Sequence, residues 1–201
     1  MSGIRKELML FKKEPFVQDA KRFFGADAYF DGMVYPEIYT TLHVALTEFQ
    51  GNLRGQKILQ LACNWAPYLF YLKNICGART YGADLNMAAV DYAVSFGKLQ
   101  VRFSDVSALP FENNFFDAVI SSHFLEWFYI ANLTGRQAAS PYTANVLKEV
   151  SRVLKQKGNF YSHRENIDSE TLSGANFPAW TQVTFPDDRS EVYGNVDVLT
   201  K

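Results

Sequence analysis

From residue 57 onward, short apolar runs alternate with stretches of helical period, and that alternation leaves the chain very few folds. KILQLAC (57–63) reads as a strand and APYLFYLKNI (66–75) as a helix. ARTYGADL (78–85) and MAAVDYAVSFG (87–97) repeat the pair, with Gly97 closing the helix, and LQVRFSDV (99–106) adds a third strand. FFDAVISSH (115–123) is a fourth, ANVLKEVSRVLKQKG (144–158) a helix ended by Gly158, and NFYSHRE (159–165) a fifth. WTQVTF and EVYGNVDVLT supply two more strand candidates near the end. Strand, helix and strand in repetition predict a doubly wound α/β fold, with a mostly parallel sheet of seven strands covered on both faces. Residues 1–54 read as an N-terminal helical cap, 55–165 as the core and 166–201 as short closing strands, all in one domain 1–201. In the cap, Ile38, Leu42, Ala45 and Leu46 recur at helical spacing before Gly51, and His43 reads as a partly exposed helix residue.

Composition narrows the partners. Twenty basic residues stand against 21 acidic ones, for a net charge of −1. That balance gives no electrostatic reason to expect nucleic acid or an anionic membrane. No segment resembles a signal peptide, and no run of about 18 apolar residues predicts a membrane insertion. Cys63 and Cys76 lack Cys or His neighbours at zinc spacing, so no metal site is expected. A reduced, cytoplasmic protein is the expectation, in which the Asn132-Leu133-Thr134 sequon has no meaning.

Ligands in such sheets bind beyond the carboxyl ends of the strands, where strand order reverses. The first strand runs into Ala62-Cys63-Asn64-Trp65-Ala66-Pro67, a turn with no glycine. Asn64 tolerates left-handed backbone, Ala66 is small, Trp65 is bulky, and Pro67 suits a first helical position. Nothing there matches a phosphate-binding loop. Asp84 ends the second strand eighteen residues after Ala66, near the spacing of about 20 at which an acid binds ribose hydroxyls. It equally fits a cap for the helix that starts near Met87. Asp105, ending the third strand, is placed either to accept from the exocyclic amine of an adenine or to close a turn.

The segments that follow resemble the class I S-adenosylmethionine-dependent methyltransferases, in particular the small domains of the UbiE/type-11 kind. ILQLACNWA stands where that family has its hydrophobic-D-L-G/A-C-G-x-G, and Gly82-Ala83-Asp84-Leu85-Asn86 where it has G-x-D-x-S. Asp105 through Phe111, then Phe116-Asp117-Ala118-Val119, resemble D-A-x-x-L-P-F and F-D-x-V. Ser121 to Trp127 resemble S-x-H-x-L-E-H, and Leu147 to Gly158 resemble L-x-E-x-x-R-V-L-K-P-G-G. The resemblance covers about residues 55–165 and implies a Rossmann-like fold, S-adenosylmethionine as cofactor and methyl transfer as the reaction. It implies that Asp84 binds the ribose, with Leu85 next to it among the cofactor-binding residues, that Asp105 and Val106 frame the adenine, and that Ala62, Cys63, Asn64 and Ala66 lie beside the methionine. Ser122 and His123 would line the floor near the sulfonium. The departures fall in the first motif, where Gln60 replaces an acid and Asn64 and Ala66 replace glycines. A non-catalytic scaffold or regulatory partner is therefore the alternative reading to an active enzyme.

The acceptor is open. Aromatics cluster at Tyr29, Phe30, Tyr35, Tyr68, Phe70, Tyr71, Phe124, Trp127, Phe128 and Tyr129, where walls for a small, partly apolar acceptor would stand, though such residues equally build cores. His123 and His163 lie at strand ends and are the candidate catalytic bases, with Glu126 and Tyr29 behind them. A cap closed over the site, a homodimer or a partner subunit would complete it.

Overall fold

Three helices precede the first strand in the computed structural model, which describes residues 2–11, 13–24, 35–125, 141–163, 174, 175, 177, 179–183 and 196–201. They are α1 (Ser2–Phe11), α2 (Pro15–Phe24) and α3 (Tyr35–Gln50). Then follow β1 (Lys57–Leu61), α4 (Pro67–Asn74), β2 (Arg79–Asp84), α5 (Met87–Ser95), β3 (Gln100–Phe103) and β4 (Phe116–Ser122). The chain closes with α6 (Pro141–Val153), β5 (Leu154–His163), β6 (Ala179–Val183) and β7 (Val196–Thr200).

The sheet order is β3-β2-β1-β4-β5-β7-β6. The first five strands in this order run parallel, and β7 inserts antiparallel between β5 and β6. Strand order reverses between β1 and β4, so the crevice expected of a doubly wound sheet opens at their carboxyl ends. Two apolar cores flank the sheet. Ile58, Ala118, Ile120, Tyr161 and Val198 face the side of α1 to α5, while Leu59, Leu61, Val119, Phe160 and Leu199 face α6. That split is the period-2 alternation of strands buried on both faces.

Several expectations change. The predicted helix over 144–158 stops at Val153, and β5 starts at the next residue. Its register with β4 then shifts between the pairs Phe116↔Leu154 and Ala118↔Asn159. The left-handed residue there is Lys157, at φ 65°, and not Gly158. Lys98, at φ 51°, likewise makes the left-handed exit after α5, and Gly97 has another task. A Cβ on Gly97 would lie 2.7 Å from the Ala93 carbonyl oxygen and 2.8 Å from the Phe16 ring. The missing side chain lets α2 approach α5. Phe16 stacks on Phe70 at 4.3 Å, and its carbonyl accepts from the Tyr92 hydroxyl at 2.7 Å.

His43 is buried in α3, against the expectation of partial exposure, and burial pushes its pKa down while the Glu7 charge opposes. Tyr68 and Tyr71, two of the residues offered as acceptor walls, are core: Tyr68 stacks on Tyr39 at 4.6 Å, and burial pushes both phenols up. Tyr29, Phe30, Glu126, Trp127, Phe128, Tyr129 and the side chain of Tyr35 lie outside the described residues. Both cysteines are free. Among the described residues no helix is long and apolar enough to cross a membrane, and no group of three or more His, Cys, Asp or Glu residues is placed to hold a metal ion.

Candidate functional site

β1 delivers the chain to its turn under an unusual backbone. Ala62, Asn64 and Ala66 all have positive φ, at 46°, 51° and 57°. The turn follows the left-handed path that glycine would take, although none is present. An Ala held in that region costs about 1 kcal/mol relative to Gly. Asn64 carries the conformation more easily, and its Oδ1 accepts from the Trp65 N–H at 2.9 Å. Trp65 does not fill the crevice. It is only 4% exposed and points into the helical layer, 5.9 Å from the Phe16 ring. The bulky residue of the turn therefore packs against α2. Replacing half-buried Ala62 by Gly is expected to stabilise the protein by about 0.5–1 kcal/mol in urea unfolding. A loss of stability would refute the strain argument.

Every N–H from Cys63 to Ala66 is already used. Cys63 donates to the Ala83 carbonyl and Ala66 to the Cys63 carbonyl. Asn64 donates to Asp84 Oδ2 at 2.6 Å. With its donors occupied, the turn is a poor cradle for phosphate. What it leaves for a ligand are acceptors. Gln60 is buried on the β1 face toward α3 and α4, and its Oε1 has no hydrogen-bond partner among the described residues. Ser122 Oγ, at the end of neighbouring β4, is in the same condition. Buried acceptors left unmatched are expensive, and a cationic N–H donor entering the crevice would satisfy them.

Asp84 is engaged on both oxygens. Oδ1 accepts from the Asn86 N–H at 2.7 Å and Oδ2 from Asn64, so one carboxylate ties the β1–α4 turn to the β2–α5 turn. The helix cap that Asp84 might have been is Asn86, whose side chain accepts from Ala89 N–H. Both Asp84 oxygens keep a second lone pair for hydroxyl donors. Gly82 permits the close packing beside it, since a Cβ there would lie 2.6 Å from Cys63 Sγ. Cys63 is itself buried, and burial with the nearby Asp84 charge pushes its thiol well up, so it stays protonated.

At the next strand end Asp105 receives three donors on Oδ1: Ser107 N–H at 2.8 Å, Ser107 hydroxyl at 2.8 Å and Tyr142 hydroxyl at 2.9 Å. Burial alone would raise its pKa, but these bonds outweigh it and hold the carboxyl below the usual range. Val106 is buried in the α6-side core, so only its backbone is available to a ligand. Leu85 and Phe103 stand exposed at the ends of β2 and β3.

Across the crevice, His123 and His163 come together. Their ring centroids are 5.3 Å apart, edge to face, and the His123 N–H donates to the His163 carbonyl at 3.3 Å. His123 takes a left-handed φ of 54° and is partly exposed, while His163 is buried. Sequence reasoning missed a clamp behind the site. The Glu149 carboxylate accepts from Leu109 N–H, and Arg152 donates to Glu149 and to the Leu109 and Phe111 carbonyls.

Residues 59–162, more than half of the chain, match the Methyltransf_11 family model, described as a methyltransferase domain. The chain belongs to that family. It is an S-adenosylmethionine-dependent methyltransferase with a Rossmann-like fold. Solved structures agree on the fold. An S-adenosylmethionine-dependent methyltransferase of Methanococcus maripaludis is 13% identical, with a TM-score of 0.66 and coverage of 94% of this chain and 95% of that one. The complex between the Haloferax volcanii Trm112 methyltransferase activator and a methyltransferase gives 18% identity, a TM-score of 0.62 and coverage of 94% and 97%. A TehB-like methyltransferase of Corynebacterium glutamicum gives 20%, 0.59, and coverage of 92% and 97%. A search of curated proteins returns no significant match.

The residues present fit the cofactor. Its methionine ammonium is a donor from which the unmatched Gln60 Oε1 and Ser122 Oγ would accept, and because the cofactor carries no phosphate it needs no phosphate cradle.

Proposed function

We propose that this methyltransferase moves the methyl group to a small, partly apolar acceptor admitted over the carboxyl ends of β4 and β5. The observation that carries the reading is the turn itself: left-handed backbone kept at Ala62, Asn64 and Ala66 without glycine, and locked to Asp84 by a hydrogen bond. A relic turn would have no reason to keep three costly φ angles in register. Asp84 and the exposed Leu85 would hold the ribose, and Asp105 with the Val106 backbone the adenine. Gln60 Oε1 and the Ala62–Ala66 backbone would receive the methionine end. When bound, the cofactor supplies an electrophilic methyl on its sulfonium.

The chain's own work is then alignment and one proton. Direct displacement needs donor and acceptor held in line, which the rigid strand ends favour. His123, partly exposed, is the better placed proton acceptor, and buried His163 orients it from behind. The acceptor class rests on the aromatic run from Phe124 to Tyr129 that follows His123 in sequence. By analogy with the Haloferax complex, a partner subunit is a further proposal, as are a homodimer and a cytoplasmic location, the last from the two free thiols.

Calorimetric titration with S-adenosylmethionine and S-adenosylhomocysteine tests the reading. Micromolar affinity is expected for both, with a thermal shift at saturation. At about 100 times Kd a ligand stabilises the fold by roughly 2.7 kcal/mol. Absence of binding at millimolar ligand to folded protein would leave the non-catalytic alternative.

A further inference from the structure

We infer that Tyr142 is a positioning residue for cofactor recognition: its hydroxyl fixes the Asp105 carboxylate so that one oxygen is committed to the protein and the other faces the adenine. The inference rests on the reading of Asp105 as the adenine acid and goes beyond it, because Tyr142 belongs to a different element, 37 positions away.

Among the described residues, the hydrogen bonds to the Asp105 carboxylate all land on Oδ1. A carboxylate oxygen has two lone pairs, so three donors saturate it and leave Oδ2 as the acceptor for a ligand. The two bonds from Ser107 are local and would form wherever this loop went. The bond from Tyr142 is not local. It joins the first turn of α6 to the end of β3, and so removes the rotation about the Asp105 side chain that the Ser107 contacts alone permit. The Tyr142 ring packs against the α6-side core, which fixes the donor in turn. Arg152 and Glu149, further along α6, hold the following loop through Leu109 and Phe111. One helix therefore governs both ends of the 105–111 segment. Adenine carries an amine that donates to Oδ2, and a purine with a carbonyl oxygen at that position would face the same carboxylate with a repelling lone pair.

The test is calorimetric affinity for S-adenosylhomocysteine and S-inosylhomocysteine, measured on the wild-type protein, Tyr142→Phe and Asp105→Ala. The phenylalanine keeps the ring and removes only the hydroxyl, and thermal unfolding checks that the fold is retained. Wild type is expected to prefer the adenosyl ligand by at least about tenfold, the size of one hydrogen bond to a charged group. Tyr142→Phe should reduce that ratio severalfold, chiefly by weakening the adenosyl ligand. Asp105→Ala should abolish it. If Asp105→Ala abolishes the preference and Tyr142→Phe preserves it, the positioning role is overturned while the adenine acid stands. Equal weakening of both ligands by Tyr142→Phe would also overturn it, since a merely structural contact acts on both. Should Asp105→Ala leave the preference intact, the adenine reading fails and the inference falls with it.

Discussion

Asp84→Ala is expected to weaken S-adenosylhomocysteine binding by about 100-fold or more, equivalent to roughly 2.7 kcal/mol for two hydroxyl bonds to a carboxylate. The loss compounds, because the carboxylate would hold the ligand and also holds the turn that receives it. Without Asp84 the Asn64 and Asn86 N–H groups lose their acceptor, and two loops lose their only shared side chain among the described hydrogen bonds. Both bonds are exposed, so water replaces them, and unfolding stability should fall by no more than about 1–2 kcal/mol. Asp84→Asn separates the two roles. One amide oxygen can still accept from one loop, but its N–H₂ group faces a donor in the other. Intermediate affinity with near-normal stability is therefore expected. Binding within threefold of wild type in Asp84→Ala would mean that the ribose is held elsewhere.

The core of the fold was readable because strands buried on both faces leave largely apolar runs, as Ile58 to Leu61, broken only by Gln60, and Ala118 to Ile120 do. Boundaries set by distant partners were not. Nothing local in LKQKGNFYSH says that strand pairing begins at Leu154, because what stops the helix is the neighbouring β4. Asp117 takes Lys57 N–H at 2.8 Å and Lys155 Nζ at 2.5 Å, which draws the segment just after the helix into the sheet. The insertion of β7 between β5 and β6 is likewise a long-range choice that no window of sequence contains. Around the candidate site, the placement of Asp84 and Asp105 just at or beyond strand ends was legible from the apolar runs before them, but their roles were not, since a helix cap or a turn residue fits the same positions. Tyr68 and Tyr71 were not assignable, because the same rings would line a pocket if α1 and α3 packed elsewhere. Trp65 looked like an obstacle in the turn until Phe16 supplied its partner. Tyr142 carried no signal at all, as its meaning is a contact with a residue 37 positions earlier.

Arg152→Ala should lower unfolding stability by about 2–3 kcal/mol in urea, among the larger effects for a partly exposed residue. The guanidinium makes both of its bonds to Glu149 at 2.7 Å and reaches the Phe111 carbonyl at 2.8 Å, the Leu109 carbonyl at 2.9 Å and Asn113 Oδ1 at 2.8 Å. Truncation leaves two loop carbonyls and a half-buried carboxylate to find water. Arg152→Lys should recover less than half of the loss, because an ammonium has no planar fork and cannot serve the carboxylate and both carbonyls together. The clamp also sets an acid limit. Hydrogen bonds from Arg152 outweigh burial and, with Leu109 N–H, hold the Glu149 carboxyl below its usual value. A pKa depressed in the folded state contributes stability that is complete above the unfolded value, about 4.3, and is lost as pH falls through the folded value. Wild-type stability should therefore fall with acid below about pH 4, and the slope should be shallower in Arg152→Ala, where less of the depression survives. Parallel pH profiles for the two proteins would mean that Glu149 is held by Leu109 alone. Because the clamped loop follows directly from Asp105, the same substitution should also weaken cofactor binding severalfold at pH 7, with Tyr142 still in place.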